Sequence, residues 1–171
     1  MEVENNIDKP KYDFGSTERE QSVIDMESVI KRIVEERVGD INRITENIQS
    51  WLKDDTKELT DQEIEDILLQ LPIVLYNVIE DQELVGMQSD MANQLYKEAQ
   101  SEAFRLARGT IADKNAISDL QTRAQQLEKI IYDRSYKIVK QRIDIAIEAL
   151  NAVKRVQSSR QQKADLATRR F

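Results

Sequence analysis

The sequence predicts an all-α protein, an elongated antiparallel bundle of about four long helices with coiled-coil character. Residues that interrupt helices are rare, since the 171-residue chain contains four glycines and two prolines. Apolar residues return every three or four positions over long stretches, which places them on one face of a helix. A third of the residues are charged and only 5% are aromatic. This composition is typical of helices that pack through aliphatic seams.

The last long helix, which we expect to run from about Ala116 to Ser158 or beyond, has the clearest apolar pattern. Its seam alternates steps of three and four and consists of Tyr136, Val139, Ile143, Ala146, Leu150 and Val153. This spacing is close to the a and d positions of a coiled coil. An earlier seam on the same helix consists of Ile117, Leu120, Ala124, Leu127 and Ile131. Together the two seams span some forty residues, about 60 Å of helix. A short neighbouring helix would not cover that length, so the seam predicts a homo-oligomer.

Two capping boxes predict where the first two helices begin. In each box a threonine side chain and a glutamate three residues later satisfy backbone amides at the helix start. The pairs are Thr17 with Glu20 and Thr60 with Glu63. The first helix is expected to bend or break near Gly39, because glycine is a poor helix former.

The second helix contains a proline and the most hydrophobic segment of the chain. Pro72 lacks a backbone donor and predicts a kink or a restart of the helix. The segment PIVLYNVI (residues 72–79) is expected to be the most deeply buried helical turn. Gly109 is expected to cap the end of this helix, with residues 110–115 forming the turn to the last helix.

Three regions are predicted along the chain. Residues 1–16 form a flexible arm, residues 17–158 form the helical bundle domain, and residues 159–171 form a basic tail that frays or orders only on a partner. The N-terminus is polar and acidic and does not have the pattern of a signal peptide. No apolar run approaches 18 residues, so no membrane-spanning helix is expected. We therefore expect a cytoplasmic protein.

The residue types argue against an enzyme. The chain has no cysteine and no histidine, which excludes thiol nucleophiles, imidazole bases and zinc fingers. Acidic pairs such as Glu35 and Glu36 have no metal-ligand spacing, and they are interpreted as parts of solvated helix faces. No glycine-rich phosphate loop occurs. No cofactor and no metal site are predicted.

Charge is distributed unevenly along the chain. Residues 129–171 contain 11 lysines and arginines and four acids, for a net charge of +7. The first 128 residues contain 14 basic and 28 acidic residues, for a net charge of −14. This asymmetry is more informative about partners than the overall charge of −7.

The basic part of the last helix is the candidate nucleic-acid site. Its predicted binding residues are Lys137, Lys140, Arg142, Lys154, Arg155, Arg160 and Lys163, with Tyr132 to stack on bases. Basic helical faces bind phosphates through counterion release, and aromatic side chains stack on single-stranded bases. A second interpretation stays open, in which these cations pair with the acidic helices of the same chain or of a neighbouring subunit.

The segment EAQSEAFRLARGTIADKNAISDL, followed by YDRSYKIVKQRIDIAIEALNAVKRV, resembles a family of small phage proteins. Over residues 95–157 the chain is similar to helical recombination mediators (UvsY-like proteins). The resembling residues are Glu98-Ala99, Ala107, Gly109-Thr110, Ala112-Asp113 and the heptad segment from Tyr136 to Lys140. It implies a non-enzymatic helical oligomer that binds single-stranded DNA and helps to load a recombinase. The chain departs from that family in its length and its acidic first two-thirds.

The expected function is therefore that of a phage-type accessory protein of DNA recombination or replication. Its expected partners are single-stranded DNA, a recombinase or replication protein, and further copies of itself. One alternative is an acidic helical adaptor or inhibitor that binds a host protein. A second alternative is a structural or scaffold component built from helical bundles.

Overall fold

The computed structural model describes residues 16–53 and 59–169, with side chains from residue 21 onward. This part of the chain forms four α-helices and no strand: α1 (Ser16–Lys53), α2 (Asp61–Leu106), α3 (Ile111–Gln121) and α4 (Arg123–Thr168). The prediction of an all-α bundle is confirmed. None of the described helices is both long enough and apolar enough to cross a membrane.

Helix α4 is the centre of the bundle, because both α1 and α2 pack extensively against it. Arg160 near the end of α4 bonds to Asp61 at the start of α2, at 2.8 Å. Helices α2 and α4 therefore run antiparallel. Arg37 of α1 bonds to Asp81 of α2 at 2.6 Å, and α3 packs beside the end of α2.

The predicted α4 seam packs inside the chain. Five of its six members are buried in the core, and Tyr136 is half-buried against Gly86 of α2. The main core residues are Val38, Ile41 and Ile48 of α1, Ile64, Leu71, Leu75 and Val78 of α2, and Val139, Ile143, Ala146, Leu150 and Val153 of α4. Since α1 and α2 of the same chain cover the seam, it needs no second chain. The seam therefore gives no argument for an oligomer.

Helices α1 and α2 are continuous at the two positions where interruptions were predicted. The expected break at Gly39 is wrong, because α1 extends without interruption from Ser16 to Lys53. The expected restart at Pro72 is also wrong, because α2 continues through the proline. Pro72 removes one backbone hydrogen bond, and its neighbours Leu71 and Leu75 are held in the core. Tertiary packing on both sides of the proline thus preserves the helix.

The capping box at Thr60 is confirmed. Its hydroxyl accepts from the backbone N–H of Glu63, and the Glu63 carboxylate accepts from the backbone N–H of Thr60. The proposed box at Thr17 lies outside the described side chains. The predicted arm lies outside the described residues except for Ser16, which is already helical.

The last predicted helix is two helices in the structure. Thr110 and Asp113 form a capping box, so α3 begins at Ile111 and not near Ala116. Helix α3 ends at Gln121, and Thr122 separates it from α4. The hydroxyl of Thr122 donates to the carbonyl oxygen of Ser118 at 2.8 Å. Such local side-chain bonds compete with regular helix geometry.

The end of α4 differs from the predicted tail. The last helix was expected to reach Ser158 or beyond, and it continues to Thr168, through most of the segment that was predicted to fray. Each residue from Gln161 to Arg169 is exposed. The segment is therefore helical in the single chain.

The segment PIVLYNVI is helical, as predicted, but it is not the most deeply buried turn. Leu75 and Val78 are buried, whereas Ile73 is 64% exposed and Tyr76 is 68% exposed. The segment is apolar on two opposite faces, and α1 and α4 cover only one of them.

Candidate nucleic-acid interface

The eight predicted binding residues all lie on α4, but they do not form a single stripe. Residues 18 positions apart on a helix share a face and are separated by about 27 Å. Lys137 and Arg155 share one such face, and Arg142 and Arg160 share another, about 140° away around the helix. The cations therefore form separate rows beside the buried seam.

In the middle of α4, the positive charge is nearly balanced by acids. Residues 133–148 contain four basic and three acidic side chains. Lys137 bonds to Asp133 at 2.8 Å, and Arg142 borders a shallow groove together with Ile30 and Val34 of α1. This part of the helix offers little net charge to a phosphate backbone.

The distal segment, residues 154–169, carries the excess of positive charge. It contains five basic residues and a single acid, Asp165. Arg160 pairs with Asp61, whereas Lys154, Arg155 and Lys163 are exposed and form no ion pair with any other described residue. The second interpretation, in which the cations pair with acidic helices, therefore holds for Arg160. It does not hold within the described chain for the other three.

Tyr132 is not next to the distal cations. It is half-buried and lies 22 residues before Lys154, about 33 Å along the helix. On the same stretch of α4, Lys129 lies 5.1 Å from the centre of the Tyr96 ring. The structure therefore separates the predicted stacking residue from the cations best placed to bind phosphate.

An open groove of about 500 Å³ lies between α1 and α2. Its lining includes Glu35, Glu36, Asp40 and Asp81, but Arg37 bonds to Asp81 and Arg43 bonds to Asp40. Within the described ranges 16–53 and 59–169, no group of three or more side chains could hold a metal ion. Two of the four acids are thus paired with arginines, one between helices and one along α1, as on solvated helix faces.

One prominent surface was not among the sequence predictions, the apolar outer face of α2. Its members are 45–68% exposed and recur every three or four positions, with one longer interval. We call this surface the outer stripe; it consists of Leu69, Ile73, Tyr76, Leu84, Met87, Met91 and Leu95. Three stripe residues each lie two positions before a buried residue, about 200° around the helix: Leu69 before Leu71, Ile73 before Leu75 and Tyr76 before Val78. A search for two apolar stripes on one helix would have found it.

No family model, no curated protein and no solved structure matches this chain. Its function is therefore inferred from its own residues, above all from the cations at the end of α4.

Proposed function

We propose that this chain is a non-enzymatic accessory protein of phage DNA recombination or replication. It binds single-stranded DNA through the distal segment of α4, and it binds a recombinase or replication protein as its partner. The observation that carries the proposal is the exposed distal segment, in which five basic residues accompany one acid. The resemblance of residues 95–157 to recombination mediators supports the same function.

The distal segment has the properties that phosphate binding needs. Residues 154–169 span about 22 Å of helix. Lysine and arginine side chains on an exposed helix contact phosphates and release condensed counterions, so that affinity falls as salt rises. Because the contacts are to the backbone, they carry no direct sequence information. The expected activity is therefore salt-sensitive and largely independent of sequence.

The first prediction is that the unpaired distal cations determine DNA affinity. We expect the combined variant Lys154→Ala, Arg155→Ala and Lys163→Ala to weaken binding of a fluorescent single-stranded oligonucleotide, measured by anisotropy over a salt series. The slope of log K against log salt should become shallower by about 0.7 for each phosphate that the variant no longer neutralises. Arg160 is left unchanged, because its bond to Asp61 joins α4 to α2.

The matched control removes the same charge elsewhere. Lys31, Arg108 and Arg123 are exposed residues outside the distal segment, and replacing all three with alanine should leave the salt slope unchanged. If both variants weaken binding equally, overall charge and not the distal segment is responsible. If the wild-type chain does not bind DNA at low salt, the proposed function is wrong.

A second candidate function is that of a protein–protein adaptor. It is favoured by the net charge of −14 in the first 128 residues and by the exposed outer stripe of α2. Absence of DNA binding by the wild-type chain would favour this candidate.

A further inference from the structure

The outer stripe of α2 is large for the surface of a single chain. Its seven side chains, at 45–68% exposure, present on the order of 800 Å². Each partner contributes about this area to a standard interface, and the largest patch on a typical monomer is only about 300–600 Å². The buried seams of α1, α2 and α4 already form the core, so the stripe is not used in folding.

We propose that the outer stripe is the interface of an antiparallel homodimer, in which α2 of one copy packs against α2 of a second copy. This surface is distinct from the α4 seam, which is covered within the chain.

The order of side chains along the stripe is self-complementary, as a two-fold symmetric interface requires. If the two helices cross near residue 82, Leu69 of one copy faces Leu95 of the other. In the same register, Ile73 faces Met91, and Tyr76 lies within one residue of the position opposite Met87. The apolar contact would extend from residue 69 to residue 95, about 39 Å of helix.

The charges at the ends of the stripe favour the antiparallel orientation. Glu65 and Asp66 lie on the outer side of α2 near its start, and Lys97 and Arg105 lie near its end. An antiparallel pair brings the cations of one copy to the acids of the other, whereas a parallel pair places the acids together. Glu98 and Glu102 are exposed at the same end of α2, and Glu98 comes opposite Asp66 in this register. Lys97 and Arg105 balance these two acids, so the acidic start of one copy faces a neutral segment in the antiparallel pair and a second acidic segment in the parallel pair.

Glu80 limits the strength of the dimer. It is exposed and lies in the stripe between Tyr76 and Leu84, opposite Leu84 of the second copy in this register. Burying an unpaired carboxylate is unfavourable. The structure therefore implies reversible association, which removal of this one charge would strengthen.

The second prediction tests this interface by sedimentation velocity over a concentration series of the full chain. We expect wild-type mass to increase with concentration toward that of a dimer. Glu80→Leu should tighten the dimer at least tenfold, an effect that damage to the fold does not produce. The pair Ile73→Glu and Met87→Glu should give a monomer at every concentration, with unchanged helical circular dichroism.

Two comparisons test the location and the register. Two large apolar residues of α3, Ile111 and Leu120, are more exposed than any stripe residue. Replacing both with glutamate should leave association unchanged, because they lie outside the stripe. Lys97→Glu should weaken the dimer, and adding Glu65→Lys should restore it. The proposal is overturned if the wild-type chain and the Glu80→Leu variant are both monomeric at every concentration. It is also overturned if the α3 control variant loses the dimer. The same holds if adding Glu65→Lys to Lys97→Glu fails to restore the dimer.

Discussion

Gly109 occupies a backbone conformation that other residues adopt only with strain. Its φ is +117°, and an added Cβ would lie 2.9 Å from the Oδ2 atom and 3.0 Å from the Cβ of Asp113. That aspartate belongs to the capping box of α3. A side chain at Gly109 would therefore strain the turn and also disturb the capping box of α3.

Asp113 is held in its charged form by Thr110. The Thr110 hydroxyl donates to the Asp113 carboxylate at 2.8 Å and the Thr110 backbone N–H donates at 3.0 Å. The side-chain bond, followed by the backbone bond, lowers the pKa of Asp113 below its ordinary value. The resulting stabilisation is present above the ordinary carboxyl pKa and is lost as pH falls through the lowered value.

The third prediction contrasts two glycines. Gly109→Ala should lower the free energy of unfolding by about 1–3 kcal/mol, because a strained backbone conformation then carries a Cβ. Gly39→Ala should raise it by about 0.5–1 kcal/mol, because alanine is the better residue in a helix interior. At Gly39 a new Cβ would meet only the flexible Glu35 side chain. Urea denaturation measures the free energy of unfolding of both variants. An increase for Gly109→Ala would contradict the structure.

Helix α2 has two apolar faces with different roles. Leu71 is fully buried and Leu69 is 68% exposed, although only one residue separates them. Successive residues of a helix are rotated by about 100°, so one leucine packs on the core and the other is on the outer stripe. Hydropathy alone gives them the same value.

The fourth prediction compares these leucines in dilute solution, where the chain is monomeric. Leu71→Ala should cost about 2–5 kcal/mol of stability, because it removes buried methyl groups and leaves a cavity. Leu69→Ala should change stability by less than about 0.5 kcal/mol, as surface substitutions usually do. Thermal and urea unfolding followed by circular dichroism provide the measurement. Equal losses would show that α2 is rotated from the described orientation.

The bundle as a whole depends on α4, since α1 and α2 both pack on its seam. The seam takes apolar surface of α4 out of water, and hydrophobic burial is the main favourable contribution to folding. A charge placed in the seam is therefore expected to affect all three long helices.

The fifth prediction is that Ile143→Lys combined with Leu150→Lys unfolds the chain. Both positions are buried among α1 and α2, and an unpaired buried charge is strongly unfavourable. Loss of helical circular dichroism at room temperature would be the expected result. A folded variant with only reduced mass would instead show that the seam joins separate chains. As a control, lysine at the exposed Ile147 should leave the fold intact.

Much of the fold follows from local sequence, because the forces involved act within one or two helical turns. The capping box of Thr60 and Glu63 needs only those two side chains and their own backbone. The α4 seam could be predicted because steps of three and four place Val139, Ile143 and Leu150 on one face whatever packs against them. The charge asymmetry of the candidate site also belongs to the sequence itself.

Tertiary structure decided what depends on residues far apart in the chain. Arg160 is paired because α2 brings Asp61 to it, 99 residues away along the chain. Helix α2 continues through Pro72 because core contacts on both sides of the proline preserve it. Both faces of α2 carry large apolar side chains, and the positions of α1 and α4 determine which face is buried. Packing therefore selects the inner face and leaves the outer stripe exposed.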